Sequence, residues 1–568
     1  ESSIDQRATH QETERIAFGT SSMASRKLAG FDEDDYWDEE DDWDEEDEYY
    51  EDGEEEACGG EEPPSSKVAA PPAKPKAQPQ PKPKPPPPTK TPSISKKMEA
   101  LRVGGFVIEP SLKKLCDQAA EDERSAGKKT VLSLVVLGHV DAGKSTTLGR
   151  LLYETGVVTE REVTKAQKEA KEIGKASFAW AWMLDERPEE RSRGVTVDVA
   201  LARFETASKR VTLLDAPGHR DFVPNMISGA AQADAALVVV DGSEGGFESG
   251  MRGQTLEHVQ LAINLGIEQI AVVVTKLDTL GDAGRSESRF AHIRQEMEQF
   301  MVRCGFRDVS KLRWTIAVGL TGDNLVAPPT LESLGWFRGQ TLLDTIDSFM
   351  PPTRDVEAPL RLSVSESSAK GSKNVIVSGK VHQGAMQVGT KVALVPPVPG
   401  EVGVVKSLSI DAGRGTPKDA KLTFARAGDT VEATVTVSDP SVVHAGSVMT
   451  SQAAPVQVAE CFLAQILVLD ITIPLLHGQN LTLHAHSVRS TGVLTRIVSI
   501  VDEHTGEVTK ERPRCLLKGQ SAIVEITPSP SMPLETFDGC KALARVAVRD
   551  GGKTVAVGKV LKILNKAT

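Results

Sequence analysis

Apolar runs and helical patterns alternate between positions 131 and 352. Four short runs are largely apolar, as in strands buried on both faces of a sheet: Val131–Leu137, Val211–Leu214, Ala235–Val240 and Ile270–Val274. Helical spacing separates these runs, at Ser145–Tyr153, Thr255–Leu265 and Arg289–Val302. This alternation predicts an α/β domain over 131–352, with a parallel sheet covered by helices on both faces.

Beyond Arg354 the period shortens. Runs of Val, Ile, Leu and Thr alternate with Gly, Pro and Asp turns, for example at Asn374–Val377, Lys391–Leu394, Thr430–Val437, Asn480–Ala485 and Ser521–Ile526. Many short strands with regular turns are typical of all-β barrels. We therefore predict two β-barrel domains, at 353–452 and 453–568.

The first 97 residues differ from the rest in composition. Positions 32–56 hold 19 carboxylates and no Lys or Arg, and positions 63–92 hold 13 prolines interleaved with Lys. Such segments repel themselves or favour extended polyproline geometry, which predicts a disordered N-terminal extension over 1–97. A linker over 98–130 that could hold a helix follows. Because six aromatic residues stand in and beside the acidic run, the alternative is a recognition segment that folds on a basic surface.

Charge and composition exclude several classes of protein. Outside the acidic run, 61 acidic residues face 66 basic ones, so the remaining body is mildly basic and can approach RNA. The sequence has no apolar run of 18 residues and no secretory pattern at its start. Its six cysteines are far apart, which fits a reducing compartment. We expect a cytoplasmic protein with neither a membrane nor a DNA partner.

The segment 138–145 reads GHVDAGKS and fits the phosphate-binding pattern G-x-x-x-x-G-K-[ST]. It follows a predicted strand and opens a predicted helix, which is the context that the pattern requires. Gly138 and Gly143 let backbone N–H groups approach phosphates, Lys144 meets β- and γ-phosphate oxygens, and the Ser145 hydroxyl ligates Mg²⁺. The predicted phosphate loop comprises Gly138, His139, Val140, Asp141, Ala142, Gly143, Lys144, Ser145 and Thr146.

Two other strand ends carry matching chemistry. Asp215-Ala-Pro-Gly218 places a carboxylate that can hold Mg²⁺ and a glycine N–H that can meet the γ-phosphate. In Thr275-Lys276-Leu277-Asp278, Asp278 can accept hydrogen bonds from guanine N1 and N2, and the Lys276 stem can lie over the base. Adenine lacks that pair of donors. The motifs predict GTP as the nucleotide and Mg²⁺ as its metal.

These strings resemble translational GTPases. GHVDAGKST at 138–146, RGVTVDV at 193–199 and DAPGHRDFVPNMISGAAQAD at 215–234 are similar to elongation factor 1-alpha, eukaryotic release factor three and the Hbs-type ribosome-rescue GTPase. The resemblance runs from about Val131 to Val560 and implies an α/β P-loop GTPase domain followed by two β-barrels. Four stretches favour the Hbs type, the partner of Pelota: Gly174–Glu186, Ser228–Asp234, Thr505–Lys510 and Pro513–Ala522.

The resemblance implies further roles. Thr196 corresponds to a threonine that ligates Mg²⁺ and senses the γ-phosphate, and His219 to the histidine that positions the attacking water. Val140 and Val195 correspond to an apolar gate that restrains this histidine until the ribosome reorganises it. The implied task is delivery of a tRNA-shaped Pelota-like protein to the A site of stalled ribosomes, as a monomer paired with its cargo. The implied contacts are small-subunit rRNA and the GTPase centre, and hydrolysis would release the GTPase so that the subunits can split.

Three positions depart from the family pattern. Thr275 stands where an Asn usually ties the base loop to the phosphate loop, and Val318 replaces a serine beside Gly319 and Leu320. We interpret both as tuning of nucleotide affinity, because Asp278 is retained and the Gly319 N–H can still read guanine O6. The third departure is Leu543-Ala-Arg-Val546, where the family tends toward L-G-R-F.

Other functions remain open on the sequence alone. The GTPase partner of the release factor and an aminoacyl-tRNA carrier would share the chemistry and differ in cargo. A nucleotide-sensing scaffold would bind GTP without turning it over.

Overall fold

The computed structural model describes residues 108–125, 129–185, 187–193, 195–306, 308–396, 400–411, 413–416, 420–502 and 505–565. The predicted N-terminal extension at 1–97 lies outside the described residues. A helix, α1 (Pro110–Ser125), occurs in the stretch predicted as a linker. Its Leu112 and Cys116 are buried in a small apolar cluster with Phe424 of the first barrel.

A six-stranded sheet forms the centre of the N-terminal half of the described chain. Its strands are β1 (Thr130–Gly138), β2 (Ala200–Glu205), β3 (Lys209–Asp215), β4 (Ala235–Asp241), β5 (Ile270–Thr275) and β6 (Arg313–Ala317). They lie in the order β2-β3-β1-β4-β5-β6. All pair in parallel except β2, which runs antiparallel to β3 at the edge. The expectation of a wholly parallel sheet is therefore wrong at this one strand.

Helices cover both faces of the sheet. They are α2 (Lys144–Glu154), α3 (Glu160–Glu172), α4 (Pro188–Arg193), α5 (Val223–Ala231), α6 (Gly246–Arg252), α7 (Gln254–Asn264), α8 (Ala283–Arg303) and α9 (Leu342–Asp347). Successive strand side chains point to opposite faces. Leu134 thus packs with α2 and α3, whereas Val135 packs with α5, α7 and α8. Because the strands are parallel, the segments that follow β1, β3, β5 and β6 meet at one edge of the sheet.

Two closed β-barrels follow, and the predicted fold class is confirmed. The first contains β7 (Arg361–Ala369), β8 (Asn374–Gln383), β10 (Lys391–Val395), β11 (Glu401–Ile410), β14 (Thr430–Thr436) and β15 (Val448–Ser451). The second contains β17 (Phe462–Val468), β19 (Asn480–Ala485), β20 (Val488–Val501), β23 (Ser521–Ser529), β25 (Arg545–Asp550) and β26 (Lys553–Ile563). Pairing of β10 with β11 closes the first barrel, and pairing of β19 with β20 closes the second.

Short strands complete the two barrels. They are β9 (Ala385–Gln387), β12 (Lys421–Leu422), β13 (Phe424–Arg426), β16 (Gln457–Ala459), β18 (Leu475–Leu476), β21 (Val508–Glu511), β22 (Cys515–Leu516) and β24 (Met532–Leu534). Among the described residues, no helix is long and apolar enough to cross a lipid bilayer.

The first barrel is bonded to the sheet domain at two places. Lys380 of β8 forms a buried ion pair with Asp234, with Nζ and Oδ1 2.7 Å apart. The barrel loop at Arg414 pairs with the edge strand β2 through main-chain bonds. The N–H of Arg203 donates to the Arg414 carbonyl at 2.7 Å, and the N–H of Arg414 donates to the Leu201 carbonyl at 3.1 Å. A loop of the barrel therefore forms one isolated bridge with the β2 edge of the sheet.

The second barrel contacts α7. Arg545 donates from Nη1 to the carbonyl of Asn264 at 2.6 Å, and the Thr554 hydroxyl donates to Glu257 Oε1 at 2.6 Å. Leu543 and Ala544, in the third stretch that departs from the family pattern, are fully buried. Arg545 belongs to the same stretch, so this departure includes a residue that contacts the sheet domain.

Candidate functional site

The strand ends surround one cavity of about 350 Å³. It brings together residues from all the predicted nucleotide motifs: Val140, Asp141, Gly143, Lys144, Ser145, Thr146, Val195, Thr196, Gly218, His219, Thr275, Lys276, Asp278, Val318, Gly319 and Leu320. Residues outside the predicted set also line it: Thr147, Ser177, Phe178, Ala181, Asp185 and Thr279. Motifs far apart in sequence therefore form a single site.

Four predicted site residues lie behind the cavity wall. Gly138 adopts φ +148°, and a Cβ there would overlap the Val239 carbonyl. Ala142 and Asp215 are buried. The His139 ring points away, toward Gly253, where a Cβ would meet its Cε1 at 2.9 Å. Gly138, His139 and Ala142 shape the phosphate loop, whereas Asp215 lies behind Ser145 and accepts its hydroxyl.

At the end of the cavity predicted to bind phosphate, the phosphate loop surrounds the buried ammonium group of Lys144. Gly143, at φ +86°, begins α2, and Lys144 is only 7% exposed. The Lys144 ammonium donates to the carbonyls of Gly138 at 3.1 Å and His139 at 2.8 Å. Burial lowers the pKa of Lys144, whereas Asp215 opposes that shift. A Cβ at Gly218 would meet Lys144 Nζ at 2.5 Å and the Gly138 carbonyl at 3.1 Å, so Gly218 lies close against the phosphate loop.

Oxygen groups converge beside this loop. The Ser145 hydroxyl donates to Asp215 Oδ2 at 2.7 Å and lies 3.2 Å from the Thr196 hydroxyl. The Thr196 hydroxyl in turn donates to Asp185 Oδ1 at 3.1 Å. Asp215 Oδ1 is buried and has no hydrogen-bond partner among the described residues. Hydroxyl and carboxylate oxygens are the ligands that Mg²⁺ prefers, so the residues present fit that ion.

The two carboxyl groups are held in unusual electrostatic surroundings. Burial raises the pKa of Asp185 to about 7, and the nearby Asp215 carboxyl acts in the same direction. Burial also raises the pKa of Asp215 to about 6, against the opposing effects of Lys144 and Ser145. A cation between them would favour their ionised forms. Sequence reasoning missed Asp185, because no spacing rule links it to the strand-end motifs.

The opposite end of the cavity offers an acceptor for a base. Asp278 Oδ1 is buried and has no hydrogen-bond partner among the described residues, and burial raises the pKa of this carboxyl. Lys276 extends along the site, where its ammonium donates to the Asp141 carbonyl at 2.6 Å and to Asp241 Oδ2 at 2.8 Å. Gly319 approaches α2 closely, since a Cβ there would meet Thr147 Oγ1 at 2.9 Å. These positions fit a planar ring with adjacent donors.

Thr275 ties the base loop to the phosphate loop. Its hydroxyl donates to the Ala142 carbonyl at 2.7 Å, with the Val240 carbonyl 3.2 Å away. Thr275 is 2% exposed, so this bond is shielded from water. The hydroxyl therefore supplies a connection between the two loops that the resemblance assigns to an asparagine amide.

Replacing Thr275 by valine should weaken that connection. The isosteric change removes the donor from the buried Ala142 carbonyl, which costs about 1–2 kcal/mol. We expect GDP to dissociate roughly tenfold faster, as measured by displacement of a fluorescent GDP analogue. Thr164→Val is the matched control, because the exposed Thr164 hydroxyl donates to the Glu160 carbonyl on α3, away from the cavity. Release from Thr275→Val at the wild-type rate would contradict the role given to the hydroxyl.

His219 lines the cavity next to Gly218. It begins a 3₁₀ turn at Arg220–Phe222, and its Nδ1 accepts the N–H of Asp221 at 3.3 Å. With Nδ1 as acceptor, the neutral ring carries its proton on Nε2, which leaves that nitrogen for an incoming molecule. The side chain is 41% exposed. Val140 and Val195 line the same cavity as His219.

Comparison with known proteins identifies the family. Residues 129–352 match the model of the Elongation factor Tu GTP binding domain, and residues 461–561 match the GTP-eEF1A C-terminal domain-like family. Elongation factor 1-alpha of Sulfurisphaera tokodaii is 38% identical over 77% of this chain and 98% of its own length. The chain belongs to the elongation factor 1-alpha family of translational GTPases.

Two further proteins are similar to this chain. Protein HBS1 of Drosophila melanogaster is 41% identical over 78% of this chain, and the match spans 65% of that relative. The GTPase-like domain of Saccharomyces cerevisiae Ski7, solved bound to GTP, has a TM-score of 0.61 and 18% identity, covering 77% of this chain and 98% of that one. At that identity the Ski7 likeness shows the fold alone.

Proposed function

We propose that the chain binds GTP with Mg²⁺ in this cavity and hydrolyses it to GDP and phosphate. The observation that carries the proposal is the juxtaposition of Lys144, the Ser145–Thr196–Asp215 oxygen cluster and Asp278 around one cavity. Lys144 and the α2 N-terminus would bind the β- and γ-phosphates, and Asp278 would select guanine. We propose three domains, at 131–352, 353–452 and 453–568, of which the first binds the nucleotide.

In the proposed mechanism, Ser145 and Thr196 would ligate Mg²⁺, and Asp215 would hold it, directly or through water. Bound there, the ion would neutralise charge that develops on the β- and γ-phosphate oxygens. His219 would position the attacking water through Nε2, and the Gly218 N–H would contact the γ-phosphate. Hydrolysis needs a placed water and stabilised charge more than a strong base.

Val140 and Val195 would restrain His219 in the free protein. We infer that contact with the ribosome moves the histidine past these side chains, so that the ribosome sets the rate. The described His219 is held in its turn by the Asp221 N–H, which is consistent with a resting position. Hydrolysis by the isolated protein would then be slow.

The proposed pathway is ribosome rescue. The chain would deliver a Pelota-like, tRNA-shaped protein to the A site of stalled ribosomes in the cytoplasm, in contact with small-subunit rRNA and the GTPase centre. It would act as a monomer in a heterodimer with that cargo, and hydrolysis would release it before subunit splitting. The 41% identity to protein HBS1 over 78% of this chain is the similarity that supports this pathway.

A competition pull-down tests the cargo. Purified protein with GTP is offered a Pelota-like protein, the peptide-chain release factor and charged tRNA together, and the retained species is identified. We expect GTP to increase retention of the Pelota-like protein alone. Retention of charged tRNA or the release factor would overturn the pathway while leaving the nucleotide chemistry intact. Multiple-turnover phosphate release with ribosomes then separates a GTPase from a nucleotide-sensing scaffold.

A further inference from the structure

Arg150, on the outer side of α2, joins two segments of the nucleotide site. Its Nη1 donates to the Leu320 carbonyl at 3.2 Å, in the base loop that follows β6. Its guanidinium carbon lies 4.8 Å from the centre of the Trp180 ring. Trp180 belongs to the segment 176–185, which leads from α3 toward Thr196 and which we call the switch segment. One side chain therefore contacts both the base loop and the switch segment.

Two glycines allow both segments to come this close. Gly322, at φ +88°, closes the base loop, and a Cβ there would meet the Arg150 Nη2 at 2.9 Å and Nε at 3.0 Å. Gly149 precedes Arg150 on α2, and a Cβ there would overlap the Trp180 carbonyl. The base loop thus folds around the guanidinium, while the switch segment lies directly on the helix backbone. Both segments close on the same turn of α2.

An ordinary surface ion pair does not account for these contacts. Arg150 also pairs with Glu154, with Nη2 and Oε1 2.7 Å apart, and such i, i+4 pairs on a helix contribute little to stability. Glu154 uses Nε and Nη2 of the guanidinium, whereas Leu320 uses Nη1. The contacts with the base loop and with Trp180 therefore stand apart from the ion pair and can be tested separately.

We propose that Arg150 is a positioning residue that couples the base loop to the switch segment. The inference rests on the proposed binding of GTP. Because one guanidinium holds both segments, ordering of the switch segment by a γ-phosphate stabilises the base loop, and the base in turn stabilises the switch segment. Coupling of this kind is reciprocal. Arg150 should therefore raise affinity for GTP more than for GDP.

Fluorescent analogues of GDP and of non-hydrolysable GTP, titrated into the full chain with Mg²⁺, test the coupling. Arg150→Met keeps a long side chain with good helix propensity but removes the cation and the donors. We expect it to weaken binding of the triphosphate about tenfold and of GDP about threefold, because both lose the Leu320 contact and only the triphosphate loses the ordered switch segment. Arg150→Lys keeps a cation over Trp180 but lacks the planar guanidinium with its several donors. It should recover part of the preference for the triphosphate over GDP.

Two further variants separate coupling from simple support. Trp180→Leu should reduce the preference for triphosphate to the same extent, and the double variant with Arg150→Met should show no additional loss. Glu154→Gln is the matched control and should leave the preference unchanged. The coupling would be overturned if Arg150→Met lowered affinity for both nucleotides equally or not at all. It would also be overturned if the losses of affinity in the double variant were additive. A wild-type chain that binds neither nucleotide would instead contradict the proposed function, and the coupling would fall with it.

Discussion

Replacing His219 by alanine is expected to lower ribosome-stimulated GTP hydrolysis by about 10²–10³-fold, the usual effect of losing a residue that positions or polarises a reactant. Binding of GTP should stay within about twofold of wild type, because the partly exposed His219 ring is not part of the phosphate loop or the base site. The measurement is multiple-turnover phosphate release with ribosomes, paired with a nucleotide titration. Loss confined to the rate identifies a group that acts at the transition state.

The control for this variant is His444→Ala. His444 is an exposed histidine of the first barrel, away from the cavity, so both readouts should match wild type. If His219→Ala hydrolyses GTP at the wild-type rate, another group positions the water. If it loses nucleotide affinity instead, the turn that begins at His219 has a structural role, through its bond to the Asp221 N–H.

Asp278→Asn should change which base the site accepts. The carboxylate can accept from guanine N1–H and the N2 amino group, whereas the asparagine amide turns one acceptor into a donor and faces guanine with a donor–donor contact. We expect affinity for GTP to fall about 10³-fold. Xanthosine triphosphate, which carries a carbonyl in place of the N2 amino group, should bind the variant better than GTP. Displacement of a bound fluorescent analogue by each nucleotide measures the relative affinities of the variant for GTP and xanthosine triphosphate.

Asp282→Asn is the matched control for that substitution. Asp282 lies in the same stretch of chain but caps α8, where its side chain accepts the N–H of Arg285, and asparagine caps helices about as well. Its nucleotide preference should stay that of wild type. A variant at Asp278 that still prefers GTP would show that the base does not reach this carboxylate.

The sequence predicts well those features that a local pattern determines. Continuous apolar runs identify β1, β3, β4 and β5, because strands covered on both faces have few polar positions. The short edge strand β2 escapes, since Ala200–Glu205 is only partly buried and two charged residues interrupt its apolar positions. The phosphate and base motifs are readable because backbone geometry demands glycine, lysine and aspartate at fixed intervals.

Other parts of the site depend on contacts that no interval encodes. Asp185 reaches the oxygen cluster through the path of the switch segment, and Arg150 reaches Leu320 across the turn after β6. Thr275 shows a different limit. The family pattern favours an asparagine at this position. The sequence does not reveal that a threonine hydroxyl reaches the Ala142 carbonyl, because the 2.7 Å separation is set by the folded chain.

The main-chain bonds between β2 and the Arg414 loop join the sheet domain to the first barrel. The strand that receives the Arg414 loop follows Thr196 within a few residues, and Arg203 also donates from its guanidinium to Thr416 at 3.0 Å. Pulling the barrel away would break main-chain bonds and leave polar groups without partners. A force that pulls on the barrel would therefore act on β2 and on Thr196, the cavity-lining residue a few positions before that strand.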